Sequence, residues 1–369
     1  MDDRKSVFFE ELGSIDWLCL VPALCLFCIG IVTVYSAGGG VAGRGAFFAV
    51  RQILWGLIAA CVFVSFHVIG YRWFLNFAYP IYAGLLGLLF IVLVVGLTVK
   101  GSQSWLYLGP ARLQPSEIGK IALALFLAKH LCRYPPVTVT ALISGALLAG
   151  MSGLLVLLQP DMGSSLVYAL MIFVGLIISG APKRFLAGIC AAVLASLPVG
   201  WHFLKEYQKM RILVFVDPSV DPLGAGCNVI QSRIAVGSGG LWGKGFMQGL
   251  QSKLRFLPEP HTDFAFSVFS EEFGFLGTAL LLLLFSLLFW RIVDVGLRCK
   301  DARAKVLVVV LSSWIWFQMT EGIGMSMGVL PVTGLPLPFI SYGGSSLVAI
   351  SAALGLVTSV YRTTRKNYE

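Results

Sequence analysis

The stretch 280-LLLLLFSLLFW-290 decides what kind of protein this is. All of it but Ser286 is apolar, and it stays apolar on every face of a helix. A strand of a membrane barrel would alternate apolar and polar residues over about ten positions. A surface helix of a soluble domain would keep one polar face. What remains is a helix with lipid on its outside, which needs about 20 mostly apolar residues.

The rest of the chain follows suit. Of its 369 residues 57% are hydrophobic and only 12% charged, where a soluble domain carries about 25% charged residues. Ten segments are long and apolar enough to span: 17–36, 50–70, 77–98, 115–132, 137–158, 162–180, 185–203, 265–290, 306–328 and 339–361. The expected fold is therefore an all-α integral membrane protein, a single domain over 1–369. Met1–Asp16 is polar, and the run from Trp17 to Tyr35 is span-length with no small-residue cleavage site after it, so it reads as a span and not as a secretory signal.

An even number of spans puts both termini on one side, and the basic residues choose which. With the N-terminus inside, the inner segments hold fifteen lysines and arginines, among them Arg72, Arg133, Lys183, Arg184, Arg298, Lys300, Arg303 and Arg362. The short outer loops hold four: Arg44, Arg51, Lys100 and Arg112. Cytoplasmic termini follow from the positive-inside bias. The net charge of +9 is thus a topology signal, and nucleic acid is not the expected partner. The eight cysteines lie mostly in apolar runs, without a paired CxxC at zinc spacing. Cys227 alone is expected outside, so no disulfide is expected there.

One connection is long, about 204–264, on the outer side, and loops of that length are functional or have structure of their own. Two amphipathic stretches are expected in it, 225–239 and 244–257, lying in the interface plane. Five polar places stand out on or near this face. In 101-GSQSWLYLGPARLQPSEIGK-120, Trp105 precedes a Gly109-Pro110 turn, Pro115 opens a helix behind Gln114, and Glu117 and Lys120 follow on one face. This reads either as an interfacial tryptophan with a self-neutralising ion pair, or as an anion site of Arg112, Lys120 and the helix N-terminus. Asp161 in 159-QPDMGSS-165 reads as a helix cap ahead of catalysis. The run 237-GSGGLWGKG-245 could cradle a phosphate beside Lys244, but it matches no nucleotide motif and reads first as a flexible connection.

In 257-LPEPHTDFAFSVFSEEFGF-275, Asp263 opens the eighth span, with Glu271 and Glu272 about two turns deeper. Spacing alone allows a helix cap, from Thr262 or Asp263, or a general base. His261 reads as a structural hydrogen bonder. In 329-VLPVTGLPLPFISYGGSS-346 three prolines forbid a regular helix, and irregular backbone at membrane depth must be buried in protein or line a wet cavity. The stretch is either a re-entrant rim or an ordinary outer loop, and the rim is the expected form. Glu321, inside the ninth span, needs a partner or a polar cavity.

These segments resemble the SEDS family, the shape, elongation, division and sporulation proteins. The resemblance runs over nearly the whole chain through QPSEIGK (114–120), QPDMGSS (159–165), DPLGAG (221–226), IQSRIAVGSGGLWGKG (230–245), LPEPHTDFAF (257–266) and GVLPVTGLPLPFISYGGSS (328–346). The phrasing is closer to the RodA, elongation type than to the FtsW, division type. Two departures stand out: Gly322, beside Glu321, replaces an asparagine frequent before IGM, and Pro260 follows LPE.

The resemblance implies a multi-pass protein of the bacterial cytoplasmic membrane that polymerises lipid II into glycan strands at the outer face. It implies a catalytic acid at Asp263, a helix-four ion pair at Glu117 and Lys120, and a loop tryptophan and arginine at Trp105 and Arg112. Arg112, Lys120 and Lys244 would bind the leaving pyrophosphate, and a divalent cation, Mg or Mn, could assist. The implied partners are a class B penicillin-binding protein and other membrane proteins of the elongation complex. A lipid II flippase and a non-enzymatic scaffold stand as alternatives.

Overall fold

The computed structural model describes residues 14–40, 43–99, 102–108, 111–222, 224–254, 256–257 and 259–366. The helices are α1 (Trp17–Ala37), α2 (Gly45–Ile69), α3 (Tyr71–Asn76), α4 (Ala78–Val95), α5 (Pro115–Arg133), α6 (Val139–Leu158), α7 (Met162–Ile178), α8 (Lys183–Phe203), α9 (Glu206–Val216), α10 (Ala225–Ser238), α11 (Leu250–Lys253), α12 (Ala265–Arg298), α13 (Ala302–Met327) and α14 (Gly344–Lys366). Three strands, β1 (Leu97–Val99), β2 (Ser102–Leu108) and β3 (Ala111–Leu113), lie between α4 and α5.

Each of the ten expected spans coincides with one long helix. Two starts move. The second span opens at Gly45 and not near residue 50, and the last opens at Gly344 and not near 339, because Pro336 and Pro338 hold the preceding chain out of a helix. Eight of the helices are long and apolar enough to cross a membrane unaided. The other two are α7, which is shorter, and α5, which carries Glu117, Lys120, Lys129 and Arg133. The α5 helix survives in a bilayer because the bundle covers it: every residue from Pro115 to Ala128 except Ile118 is buried. Its charges at Glu117 and Lys120 therefore meet protein and not lipid.

The α13 and α14 helices complete the centre. The α2 helix packs along α14, α1 along α12, and α13 touches α5, α7 and α12. On α12 the opening stretch sorts itself by face: Leu281, Phe285, Leu288 and Ile292 are buried at helical spacing, while Leu280, Leu283, Leu287 and Trp290 are exposed toward lipid. At α2 and α14 the backbones approach so closely that a Cβ on Gly355 would strike the Phe63 carbonyl, the small-residue packing usual between membrane helices. The α8 helix is the exception. None of its span is buried, and only Phe185, Leu186 and Ile189 reach the core.

The start of α1 and the last turns of α14 meet at one end of the bundle, as an even number of spans requires. Arg291 there bonds Asp16 at 2.7 Å and Asp294 at 2.7 Å, and lies 4.9 Å from the Tyr361 ring. The opposite end carries the long loop, the strands and the proline-rich stretch.

The strands were not expected. They form an antiparallel sheet of order β1-β2-β3, with Leu97 opposite Trp105 and Tyr107 opposite Arg112. Trp105 is thus a strand residue and not a loose interfacial anchor; the expected Gly109-Pro110 turn lies outside the described residues. In the long loop, α10 matches the first expected amphipathic stretch. The second shrinks to the four residues of α11, for a reason that lies in the glycines before it.

Those glycines enter a break in α12. Gly274 sits at φ 63°, ψ −160°, which interrupts the helix and frees backbone groups on both sides. The loop supplies their partners. Lys244 N–H donates to the Glu271 carbonyl (3.0 Å) and Gly245 N–H to that of Glu272 (3.0 Å); Phe275 and Leu276 N–H donate to Gly240 (2.8 Å) and Leu241 (3.1 Å). Gly240, Gly243 and Gly245 all have positive φ, which glycine alone adopts at little cost. The run is a backbone clasp. These bonds fix it, so it is not a flexible connector.

Candidate active site

The proline-rich stretch organises the end of the bundle opposite Arg291. Between α13 and α14 it runs as irregular backbone, with Leu335 against Gly163 of α7, Leu337 against Gly322 of α13 and Phe339 against Gly30 of α1. Asp263, Glu321 and Arg211 gather around it.

The loop before α12 comes down on its far side. Tyr342 N–H donates to the His261 carbonyl at 2.8 Å, and the His261 ring stacks on Phe48 at 4.2 Å. His261 is thus a structural residue. Two positions on, Asp263 is half-buried, facing Gly334: a Cβ built at Gly334 would lie 4.0 Å from Asp263 Oδ2. The residue that caps α12 is Phe264, with no side-chain capping bond. Among the described residues the Asp263 carboxylate accepts no hydrogen bond, so the helix-cap reading does not account for it.

Asp161 does cap. It opens α7, where Oδ1 accepts from Ser164 N–H (3.0 Å) and Oδ2 from the Gln114 amide (2.9 Å). Gln114 N–H in turn donates to Ser345 Oγ (3.2 Å), and Ser345 Oγ donates to the Arg112 carbonyl (3.2 Å). One serine at the start of α14 thus fastens the last strand. It holds the backbone at Arg112, whose side chain is exposed. Trp105 is half-buried in the neighbouring strand.

Glu117 and Lys120 lie deeper, one turn into α5. Their contact is 2.5 Å, and both are sealed from solvent. Lys120 Nζ also sits 5.2 Å from the Trp314 ring, and Tyr168 closes the layer by donating to the Ser116 carbonyl at 3.0 Å. This ion pair lies beneath the site and faces no open space. Lys244 is likewise engaged: its ammonium bonds Glu271 Oε1 and Ser238 Oγ, each at 2.7 Å. The same Glu271 oxygen caps α11 by accepting from Leu250 N–H (2.9 Å), which fixes the clasp from its side-chain end. Glu272 accepts from Ser36 on α1.

Two residues join this site that sequence reasoning passed over. Arg211 on α9 donates to the Thr333 carbonyl at 3.2 Å, and Tyr207 on the same helix donates to Pro160 O at 3.1 Å. Burial pushes the Tyr207 phenol up, so it stays protonated and keeps donating. The signal for both was the Glu206–Val216 stretch, too short and mixed to stand out as an amphipathic helix. No group of three or more His, Cys, Asp or Glu side chains among the described residues is placed to hold a metal ion.

The comparisons with known proteins agree with this architecture. The family model of cell cycle proteins FtsW, RodA and SpoVE matches residues 16–366. The chain is 39% identical to the peptidoglycan glycosyltransferase MrdB of Escherichia coli K12, over 97% of this chain and 96% of that protein. It superposes with TM-score 0.82 and 34% identity on a chain of a peptidoglycan synthase complex that coordinates polymerization and crosslinking, covering 95% and 98% of the two chains. It also superposes on the Rod shape determining protein RodA of Thermus thermophilus with TM-score 0.72 and 31% identity, covering 96% and 98%. The chain is a multi-pass membrane protein and belongs to the FtsW/RodA/SpoVE family, the SEDS family that its motifs resemble.

Proposed function

We propose that this protein is a peptidoglycan glycosyltransferase of the elongation type, which joins lipid II into glycan strands at the outer face of the bacterial cytoplasmic membrane. The acceptor's GlcNAc 4-hydroxyl attacks C1 of the donor MurNAc. The C1–O bond to the carrier breaks, undecaprenyl pyrophosphate leaves, and the hydroxyl proton passes to a base. Asp263 is that base. The observation that carries this role is its carboxylate: the fold uses it for no cap and no hydrogen bond among the described residues, and it faces the glycine backbone of the rim. A positioned base of this kind contributes about 10²–10⁴-fold.

The exposed Arg112 guanidinium offers the leaving pyrophosphate a charge-assisted contact, with Trp105 in the neighbouring strand. Glu117 and Lys120 act from below, by holding α5 and the strand that carries Arg112. Lys244 acts through Glu271 by fixing the loop that ends at Asp263. A divalent cation would arrive on the pyrophosphate oxygens. A crosslinking enzyme, a class B penicillin-binding protein, is the expected partner, within the elongation complex. The relatives' names and the synthase complex support the reaction.

The test uses purified full-length protein with labelled lipid II, alone and with its cognate crosslinking enzyme. Glycan strands support the reading. Movement of lipid II between leaflets without strands marks a flippase. Neither activity marks a scaffold and overturns the polymerase.

A further inference from the structure

Glu321 is an acid inside a membrane span, on α13 one to two turns before the rim begins. It is 3% exposed. With Trp314 and Gln318 it forms one helix face, at spacings of four and three residues, that runs from the Lys120 contact up toward the rim.

Its Oε1 accepts twice from one residue: from Thr333 N–H at 3.3 Å and from the Thr333 hydroxyl. Arg211 takes the Thr333 carbonyl. Thr333 is thus held at its N–H, its hydroxyl and its C=O. The next residue, Gly334, lies in the left-handed region at φ 80° and faces Asp263. From the other side, Gly163 at the start of α7 leaves only enough room for Thr333 and Leu335. Pro331, Pro336 and Pro338 deny this backbone the repeating bonds of a helix, so its position depends on such side-chain ties. Asp263 and Arg211 both lie within electrostatic reach of Glu321. Glu321 Oε2 has no partner among the described residues, so the fastening runs through Oε1.

We propose that Glu321 is a positioning residue: as the twofold acceptor for Thr333 it sets the backbone at Gly334 and with it the place of Asp263 against the attacking hydroxyl. This rests on Asp263 being the base. The requirement is for an acceptor oxygen at that place, not for a negative charge. A misplacement of about 1 Å at such a site can cost about 10²-fold, and a lost positioning contact lowers kcat while leaving ground-state binding in place.

The experiment measures lipid II polymerisation by purified full-length variants, with wild type and Asp263→Asn in the same assay and thermal unfolding beside it. Glu321→Gln keeps the acceptor and is expected within about threefold of wild-type kcat. Glu321→Ala is expected to lose about 10- to 100-fold in kcat with KM changed less than about threefold. Thr333→Val, which loses only the hydroxyl bond, falls between. The double variant is no worse than Glu321→Ala, because both changes cut one tie. Wild-type kcat in Glu321→Ala, or equal damage in Gln and Ala, overturns the proposal. Should Glu321→Ala fail to fold, a normally melting Thr333→Val with unchanged kcat overturns it as well. An inactive wild type, or an active Asp263→Asn, defeats the catalytic reading instead, so the two failures are told apart.

Discussion

Lys244 Nζ, in the clasp, lies 2.7 Å from Glu271 Oε1, just before the break in α12. Glu271 is fully buried and Lys244 about a quarter exposed, at 0% and 26%. A buried carboxylate that also accepts backbone N–H groups tolerates the loss of its cation poorly. Lys244→Met should lower unfolding stability by about 1–3 kcal/mol, and Glu271→Gln should lower it similarly. Their double variant should cost less than the sum. Denaturation in detergent, run as a double-mutant cycle, checks this. If Lys244 held phosphate directly instead, activity would fall with stability unchanged.

The glycine run makes a sharper contrast within a few residues. Gly243 has φ 81°, and a Cβ there would run into the Glu272 backbone. Gly243→Ala should destabilise by about 2 kcal/mol or more. Gly237 lies in α10, and a Cβ there meets nothing within 4 Å. Gly237→Ala should be neutral or stabilising by up to about 1 kcal/mol. Thermal unfolding of the two variants side by side distinguishes a clasp from a flexible connector.

The ion pair in α5 gives a third outcome. Glu117 and Lys120 are 1% and 0% exposed. Removing one partner by Glu117→Gln or Lys120→Met should cost about 3–5 kcal/mol, because it strands the other charge in a dry interior. Replacing both by apolar residues of similar volume should restore most of that loss. Unfolding midpoints measure it. Equal stability of all variants would mean that the pair is solvated after all.

What the sequence made legible was whatever is local. The spans follow from composition and length, as in 280–290, where the lipid face and the packed face needed only helical spacing to separate. Asp161 as a cap was legible because a cap is a contact over three residues. The sheet was missed because SQSWLYL is short and its alternation is masked by the tryptophan, which reads as an interface anchor by itself. The clasp was beyond reach: residues 240–245 bond residues 271–276 through backbone atoms, which carry no side-chain signature. Glu321 showed that a partner was needed, yet nothing nearby named Thr333, which the turn of the rim brings back to it.

The central claim is that Asp263 takes the proton from the attacking sugar hydroxyl, and one measurement tests it most directly. Wild type and Asp263→Asn, purified full-length and matched for thermal unfolding, are given labelled lipid II with the crosslinking partner present, and strand formation is followed in time. Asn keeps the size and cannot act as the base, so strand formation should fall by about 10²-fold or more with unfolding unchanged. Polymerisation by Asp263→Asn at the wild-type rate would contradict the account.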